Sequence, residues 1–482
     1  MGLSDVTSKC LTRKERYEQF DVEQTGSLAS TIPPTPTLAA RLTIEFVGTY
    51  FLVFTIAMGT GQEHELACLA TGFMLAALTY MGSHVSGAHY NPAVSLAVAL
   101  RGTLPFGDMV PYMLTQLVGA VLGSATGLWV LGPAEVPCVH DEPTVLGWAR
   151  TGTCEVLSTF ALCLVVLSVT TTASQEKNSH FGLAVGATIF AADVSVGSIT
   201  GGAFNPAVGL GLWLSKGLLA GQWKDCAYIA AVPMPMLGAM FAALVYRMAL
   251  PSELETNART ATPPPTICAK LTAEFIGTFF LVFTIACTTL QQVTMAPLAI
   301  GLMLTAMVYM GGHISGGNYN PAVSLAVALR GALPFDDMSY YVLTQLVGAT
   351  VASATASWVY SENTIPCLAD VDNSGWAKAS ACEILFSCVL CLVVLSVTTT
   401  ASQEKNSHFG LAIGATVFAG AVSVGSVSGG AFNPAVGLGL WLSEGLLAGQ
   451  WKDCAYIVTA PMPMLGAMVA VLLHRVTVPS EH

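Results

Sequence analysis

Long apolar runs separated by short polar breaks dominate this chain. Phe46–Ala57, Leu157–Val169 and Phe386–Val397 carry no charged residue, and each lies inside a longer stretch able to cross a bilayer. In the first half such stretches fall at 39–60, 65–84, 109–132, 151–171, 180–198 and 226–249, which predicts six membrane helices. The second half repeats the plan, for twelve spans in all. Between the spans lie shorter apolar segments of about ten residues, such as Ala93 to Arg101, which are too short to cross.

The halves are copies. Leu167–Ala184 recurs letter for letter at Leu395–Ala412, and Leu42–Arg247 matches Leu271–Arg475 at an offset of 229 early and 228 later. The organisation expected is a tail at 1–36, a first unit at 37–250, a Pro-rich linker at 251–267, a second unit at 268–478 and an end segment at 479–482. Each unit also repeats internally, with three long spans on each side. An odd number of spans forces these inner repeats to be inverted across the membrane.

Composition sharpens this picture. Charged residues make up 10% of the chain and hydrophobic ones 53%, against about 25% charged in soluble domains. A soluble enzyme is thereby disfavoured, and no nucleophile–base pair or metal-ligand cluster points to catalysis. The net charge of −11 disfavours a nucleic-acid partner. Placing the N-terminus in the cytoplasm puts 13 of the 18 Lys and Arg on that side, so both termini are expected there in an integral multi-pass protein.

The chemistry sits in a motif occurring four times: Asn91-Pro92-Ala93, Asn205-Pro206-Ala207, Asn320-Pro321-Ala322 and Asn433-Pro434-Ala435. Proline suits the first turn of a helix, and asparagine caps its start. Each motif therefore begins a half-helix with a partial positive charge at its N-terminus. Inversion brings two such ends together near the membrane midplane, where asparagine amides face the lumen and the paired positive ends repel cations. Upstream of each motif an apolar span carries one glutamate: Glu45, Glu155, Glu274 and Glu383.

Four such motifs in frame, each with its glutamate, make the chain resemble an aquaporin of the major intrinsic protein family, here as a tandem fusion of two complete units. The resemblance implies an all-α membrane protein of two hourglass units, each with six transmembrane helices and two re-entrant half-helices. It implies one pore per unit, a tetramer of units supplied by a homodimer, and glutamates that hold the re-entrant loops. It implies no cofactor and no metal. The partners implied are the lipid bilayer, water and small neutral solutes.

The same resemblance places an outer constriction at Thr71, Asp193, Gly202 and Val208 in the first unit, and at Ile300, Ala421, Gly430 and Val436 in the second. Family members usually have arginine where Val208 and Val436 stand, and neither set holds the bulky aromatic or histidine of strict water channels. Pores wider than a water-only filter are expected, passing urea, ammonia, peroxide or glycerol. The glycerol branch usually has aspartate at the next position, where this chain has Gly209 and Gly437. Asp193 is the anomaly, because its counterpart Ala421 is neutral. It either attracts cations to the first pore or bonds to the loop backbone.

His180 and His408 open the fifth span of each unit and read as interfacial polar residues, a pH gate being the alternative. The stretch from Asp21 resembles the start of a calcium loop, but Ile32 occupies the twelfth position where a bidentate glutamate is needed. Twelve spans would also suit a secondary transporter, or a non-conducting membrane scaffold. The four Asn-Pro-Ala motifs have no role in a transporter, and small constriction residues argue against occlusion.

Overall fold

A computed structural model describes residues 36–62, 64–132, 144–175, 177–221, 223, 232–250, 264–361, 375–403, 406–449, 451 and 460–478. The calcium-loop-like stretch and most of the linker lie outside these residues. The described residues form helices and connecting turns. In the first unit these are α1 (Leu38–Gly61), α2 (Ala67–Ser86), α3 (Pro92–Arg101), α4 (Phe106–Leu131), α5 (Val145–Thr170), α6 (Phe181–Thr200), α7 (Pro206–Ala220) and α8 (Pro233–Ala249). The second unit repeats them as α9 (Ile267–Gln291), α10 (Ala296–Ser315), α11 (Pro321–Leu329), α12 (Phe335–Tyr360), α13 (Trp376–Thr398), α14 (Phe409–Ser428), α15 (Pro434–Ala448) and α16 (Met462–Thr477).

Among the described residues, ten helices are long and apolar enough to cross a membrane. The other two expected spans are represented by α8 and α16, of 17 and 16 residues. Residues 226–231, at the start of the expected sixth span, are not among those described. The chain is thus an all-helical, multi-pass membrane protein. Along α4, Phe106, Val110, Leu114, Val118 and Leu122 recur every fourth residue and are all exposed, forming a ridge suited to lipid.

The inverted repeat is visible in the packing. Helix α1 lies against α4 as α5 lies against α8, while α2 and α6 cross. At that crossing the backbones touch. A Cβ on Gly186 would sit 2.2 Å from the Gly72 carbonyl oxygen, and one on Gly414 would sit 2.2 Å from that of Gly301. Small residues let membrane helices approach this closely, so van der Waals contact and interhelical polar bonds replace the missing hydrophobic drive.

The two units also pack on each other through one seam. Helices α5 and α6 of the first meet α9 and α10 of the second. Toward one end of the seam, Gln291 Nε2 donates to the Ser195 carbonyl at 2.8 Å, and the Ser198 hydroxyl donates to Gln291 Oε1 at 2.8 Å. The Tyr360 hydroxyl donates to the same Ser195 carbonyl at 2.5 Å.

Replacing Gly186 with leucine should force α2 and α6 apart, at a cost of about 1–3 kcal/mol. Gly425→Ala, where a Cβ meets nothing within 4 Å, should leave stability equal or slightly higher. Thermal unfolding in detergent separates the two. An unshifted Gly186→Leu midpoint would contradict the backbone contact.

Candidate functional site

Each half-helix starts as its sequence dictates. Asn91 has extended backbone (φ −155°), its Oδ1 accepts from the Ala93 amide at 2.9 Å, and Pro92 takes the first turn. Asn205, Asn320 and Asn433 repeat this at 2.9, 2.9 and 3.0 Å. The first half-helix of each unit is short, with 10 and 9 residues. The second runs to 15 residues in both, longer than the ten expected from sequence. Its apolar stretch continues through Trp213 and Trp441 and stops at a left-handed glycine, Gly221 or Gly449.

The residue before each asparagine has the backbone conformation least suited to an aromatic. Tyr90, Phe204, Tyr319 and Phe432 have φ of 49°, 42°, 52° and 45°, a left-handed region that costs an L-residue about 1–2 kcal/mol. In every case the amide of that strained residue donates to the upstream glutamate. The distances are 2.7 Å for Tyr90 to Glu45, 3.0 Å for Phe204 to Glu155, 2.8 Å for Tyr319 to Glu274 and 2.8 Å for Phe432 to Glu383.

Two of the carboxylates are fully engaged. Glu45 also accepts from the Ser86 hydroxyl at 2.6 Å, the His89 amide at 2.9 Å and Gln116 Nε2 at 2.8 Å. Glu274 has the same set from Ser315, Asn318 and Gln345, at 2.7, 3.0 and 2.8 Å. Glu383 accepts from the Ser428 hydroxyl at 2.8 Å and the Ala431 amide at 3.2 Å. Glu155 is the least satisfied, since its Oε1 has no hydrogen-bond partner among the described residues.

The strained conformation turns the aromatic residue's carbonyl toward the opposite loop. Asn91 Nδ2 donates to the Phe204 carbonyl at 3.0 Å, and Asn205 Nδ2 donates to the Tyr90 carbonyl at 2.9 Å. Asn320 with Phe432, and Asn433 with Tyr319, form the same reciprocal ties at 2.9 Å each. The amides were expected simply to face the lumen as donors. One N–H of each is instead committed to the other loop, leaving a single hydrogen for a passing molecule.

Tyr90 is held at its far end too. Its hydroxyl donates to the Leu78 carbonyl at 2.9 Å, and its ring fills space left by Gly48 and Gly82, where a Cβ would lie 2.0 and 1.9 Å from ring carbon and hydroxyl oxygen. Gln116, Gln345, Ser86 and Ser315 escaped the sequence reading. The signal was present, because a glutamine buried mid-span and repeated 229 residues later needs a polar partner.

A narrow cavity passes each pair of asparagines. The second unit's is about 70 Å³ and is lined by Asn320 and Asn433 together with Ile300, Ala421, Gly430 and Val436, all four expected constriction residues. The first unit's is about 30 Å³ and is lined by Asn91, Asn205, Thr71, Gly202 and Val208. Asp193 is not in that lining. Its carboxylate lies against Gly202, where a Cβ would come within 2.0 Å of Oδ1, and within reach of the Cys68 thiol. Wider vestibules lead to both: about 830 Å³ beside Arg41, His84, His89 and Tyr112, and about 410 Å³ beside His313, Asn318 and Asn406.

Comparison with known proteins decides the family. The model of the major intrinsic protein family matches residues 35–246, 197–302 and 262–474. The chain belongs to the major intrinsic protein family. Aquaporin NIP2-1 of Arabidopsis thaliana is 32% identical over 244 residues, covering 46% of this chain and 82% of its own. Nodulin-26 of Glycine max is 32% identical over 216 residues, covering 43% of this chain and 77% of its own. The solved aquaglyceroporin of Plasmodium falciparum aligns at 22% identity and a TM-score of 0.40, over 45% of this chain and 99% of its own. As an aquaporin-family member the chain is a membrane channel for water and small solutes, not an enzyme.

Glu274→Ala would leave four donors without their acceptor and should cost at least about 3 kcal/mol, whereas Ser315→Ala removes one of those four bonds and the acceptor of the Gly317 amide and should cost about 1–2 kcal/mol. Denaturation in detergent measures both. Equal effects would remove the glutamate from its central place in the loop.

Proposed function

We propose that each unit, 37–250 and 268–478, holds its own passive pore for water and small neutral solutes such as urea, ammonia, peroxide or glycerol. The observation that carries this reading is the reciprocal asparagine tie, which sets two half-helix N-termini nose to nose beside a narrow, mostly apolar cavity. Positive helix ends and amide donors suit an oxygen lone pair and repel a cation. With valine at 208 and 436, and glycine at 202 and 430, none of the expected constriction residues that line the cavities is charged or aromatic. Asp193 serves the loop and not the lumen, since its carboxylate is turned onto Gly202 and Cys68. The N- and C-termini face the cytoplasm, by the distribution of basic residues.

The assembly unit is a homodimer, giving a ring of four pores. Within one chain α5, α6, α9 and α10 have 72–83% of their central residues buried, whereas α1, α2, α13 and α14 have 28–39%. These exposed helices are the repeats of the buried ones. Phe51, Tyr80 and Phe418 are 46%, 41% and 37% exposed, while their counterparts Phe280, Tyr309 and Phe190 are 3%, 0% and 1% exposed. The same two faces therefore stand ready to form a second seam with another copy, and that contact closes by two-fold symmetry.

Stopped-flow light scattering on proteoliposomes tests the pore. Fast shrinkage in an impermeant osmolyte, then fast reswelling in urea or glycerol, is the expected result. The double variant Val208→Arg/Val436→Arg should slow reswelling roughly tenfold, about 1.4 kcal/mol of barrier, with a smaller effect on water. Shrinkage without reswelling would limit the pores to water, and bare-lipid rates would favour a scaffold. Asp193→Ala should leave cation exclusion intact. An altered cation flux would return that carboxylate to the lumen.

A further inference from the structure

His180 and His408 occupy the same position in the two units, and they touch. Their rings are 4.6 Å apart between centres at an interplanar angle of 82°, and His180 Nε2 lies 3.0 Å from His408 Nδ1. The serines before them touch as well, with Ser179 and Ser407 hydroxyls 2.8 Å apart. Equivalent groups in neighbouring units of a four-unit ring are related by a quarter turn. Two points so related lie at their separation divided by √2 from the axis. For the imidazole centres that distance is 4.6/√2, about 3.3 Å; for the hydroxyls it is 2.8/√2, about 2.0 Å. The 82° between ring planes fits the quarter turn. The contact thus marks the centre of the ring, and a second copy would bring two more imidazoles to it.

An imidazole whose nitrogen lies about 2.0–2.1 Å from a late first-row divalent ion has its ring centre roughly 3.2 Å from the metal. This is the distance at which the four rings stand from the axis. We propose that His180 and His408, with the same two residues of a second copy, form a four-imidazole site for Cu²⁺ on the axis of the pore ring, because groups related by quarter turns offer a square set of nitrogens. The proposal rests on the dimeric reading above.

The surroundings support ligation. Ser179 Oγ lies 3.2 Å from His180 Nδ1, the outer contact that fixes a ligating imidazole and leaves Nε2 for the metal. The backbone amides of His180 and His408 are held alike, by Asn178 Oδ1 at 2.9 Å and Asn406 Oδ1 at 2.7 Å. Tyr309 lies parallel to His180 at 5.8 Å, and its repeat Tyr80 stands exposed for the partner's His408. His408 is exposed and gives the cation a way in.

The test uses the full chain, stripped with chelator in detergent and then given Cu²⁺. Bound metal is measured after buffer exchange, and mass by native mass spectrometry. The expected result is one copper per two chains, lost in His180→Gln/His408→Gln while the dimer mass persists. Equal copper in wild type and variant, or one copper per chain, would overturn the site. A dimer with no variant-sensitive copper overturns the site alone, whereas a monomer with and without copper overturns the ring reading and the site together. Electron paramagnetic resonance of the Cu²⁺-loaded wild-type chain gives a check that needs no variant. A tetragonal signal with nitrogen hyperfine structure and no thiolate charge-transfer band is expected, and a thiolate band would assign the metal to cysteine instead.

Discussion

A buried carboxylate bonded to one strained amide is the contact on which each half of each unit depends. Left to itself, the residue before the asparagine would leave the left-handed region, and its carbonyl would turn away from the opposite loop. The glutamate in the neighbouring span opposes this by accepting that residue's N–H. The carbonyl so directed accepts from the opposite asparagine, which in turn fixes where the two half-helices end. A charged group within a span is costly. Here the cost is offset by several donors at once, and the result is rigid backbone at the depth where the membrane offers no water to satisfy it.

The four clamps are not equally built. Glu45 and Glu274 collect a glutamine and a serine from neighbouring helices besides two loop amides. Glu155 and Glu383 have fewer partners, and their loops carry Gly202 and Gly430, which line the two cavities. In the first unit Asp193 and Cys68 add polar groups beside the loop, where the second unit has Ala421 and Pro297. The two units share a mechanism of loop support and differ in the residues packed behind it.

Much of this was legible in the residues. Asn-Pro-Ala after an apolar span with one glutamate specifies a capped half-helix and its anchor, because capping and proline geometry are local rules. Local rules could not place the second hydrogen-bond partner of each asparagine, since the Phe204 carbonyl is 113 residues from Asn91. Asp193 was assigned to the constriction by spacing alone. Spacing gives the height of a residue on its helix, not the direction its carboxylate takes once a glycine offers it room. The contact between His180 and His408 was also beyond reach, because it needs the relative placement of two units that no local rule supplies.

In the proposed ring, fusion would make the two seams unequal. Tyr360 bonds across the inner seam to the Ser195 carbonyl, but the matching position in the first unit is Leu131, which has no hydroxyl to offer. An outer seam built on the repeat of the same faces would lack that bond and the covalent connection as well. Such a ring would come apart in a fixed order, into pairs and never into four single units. Each pair can then accumulate complementary changes on its two sides, a freedom denied to a ring of identical units, where every substitution appears on all sides at once.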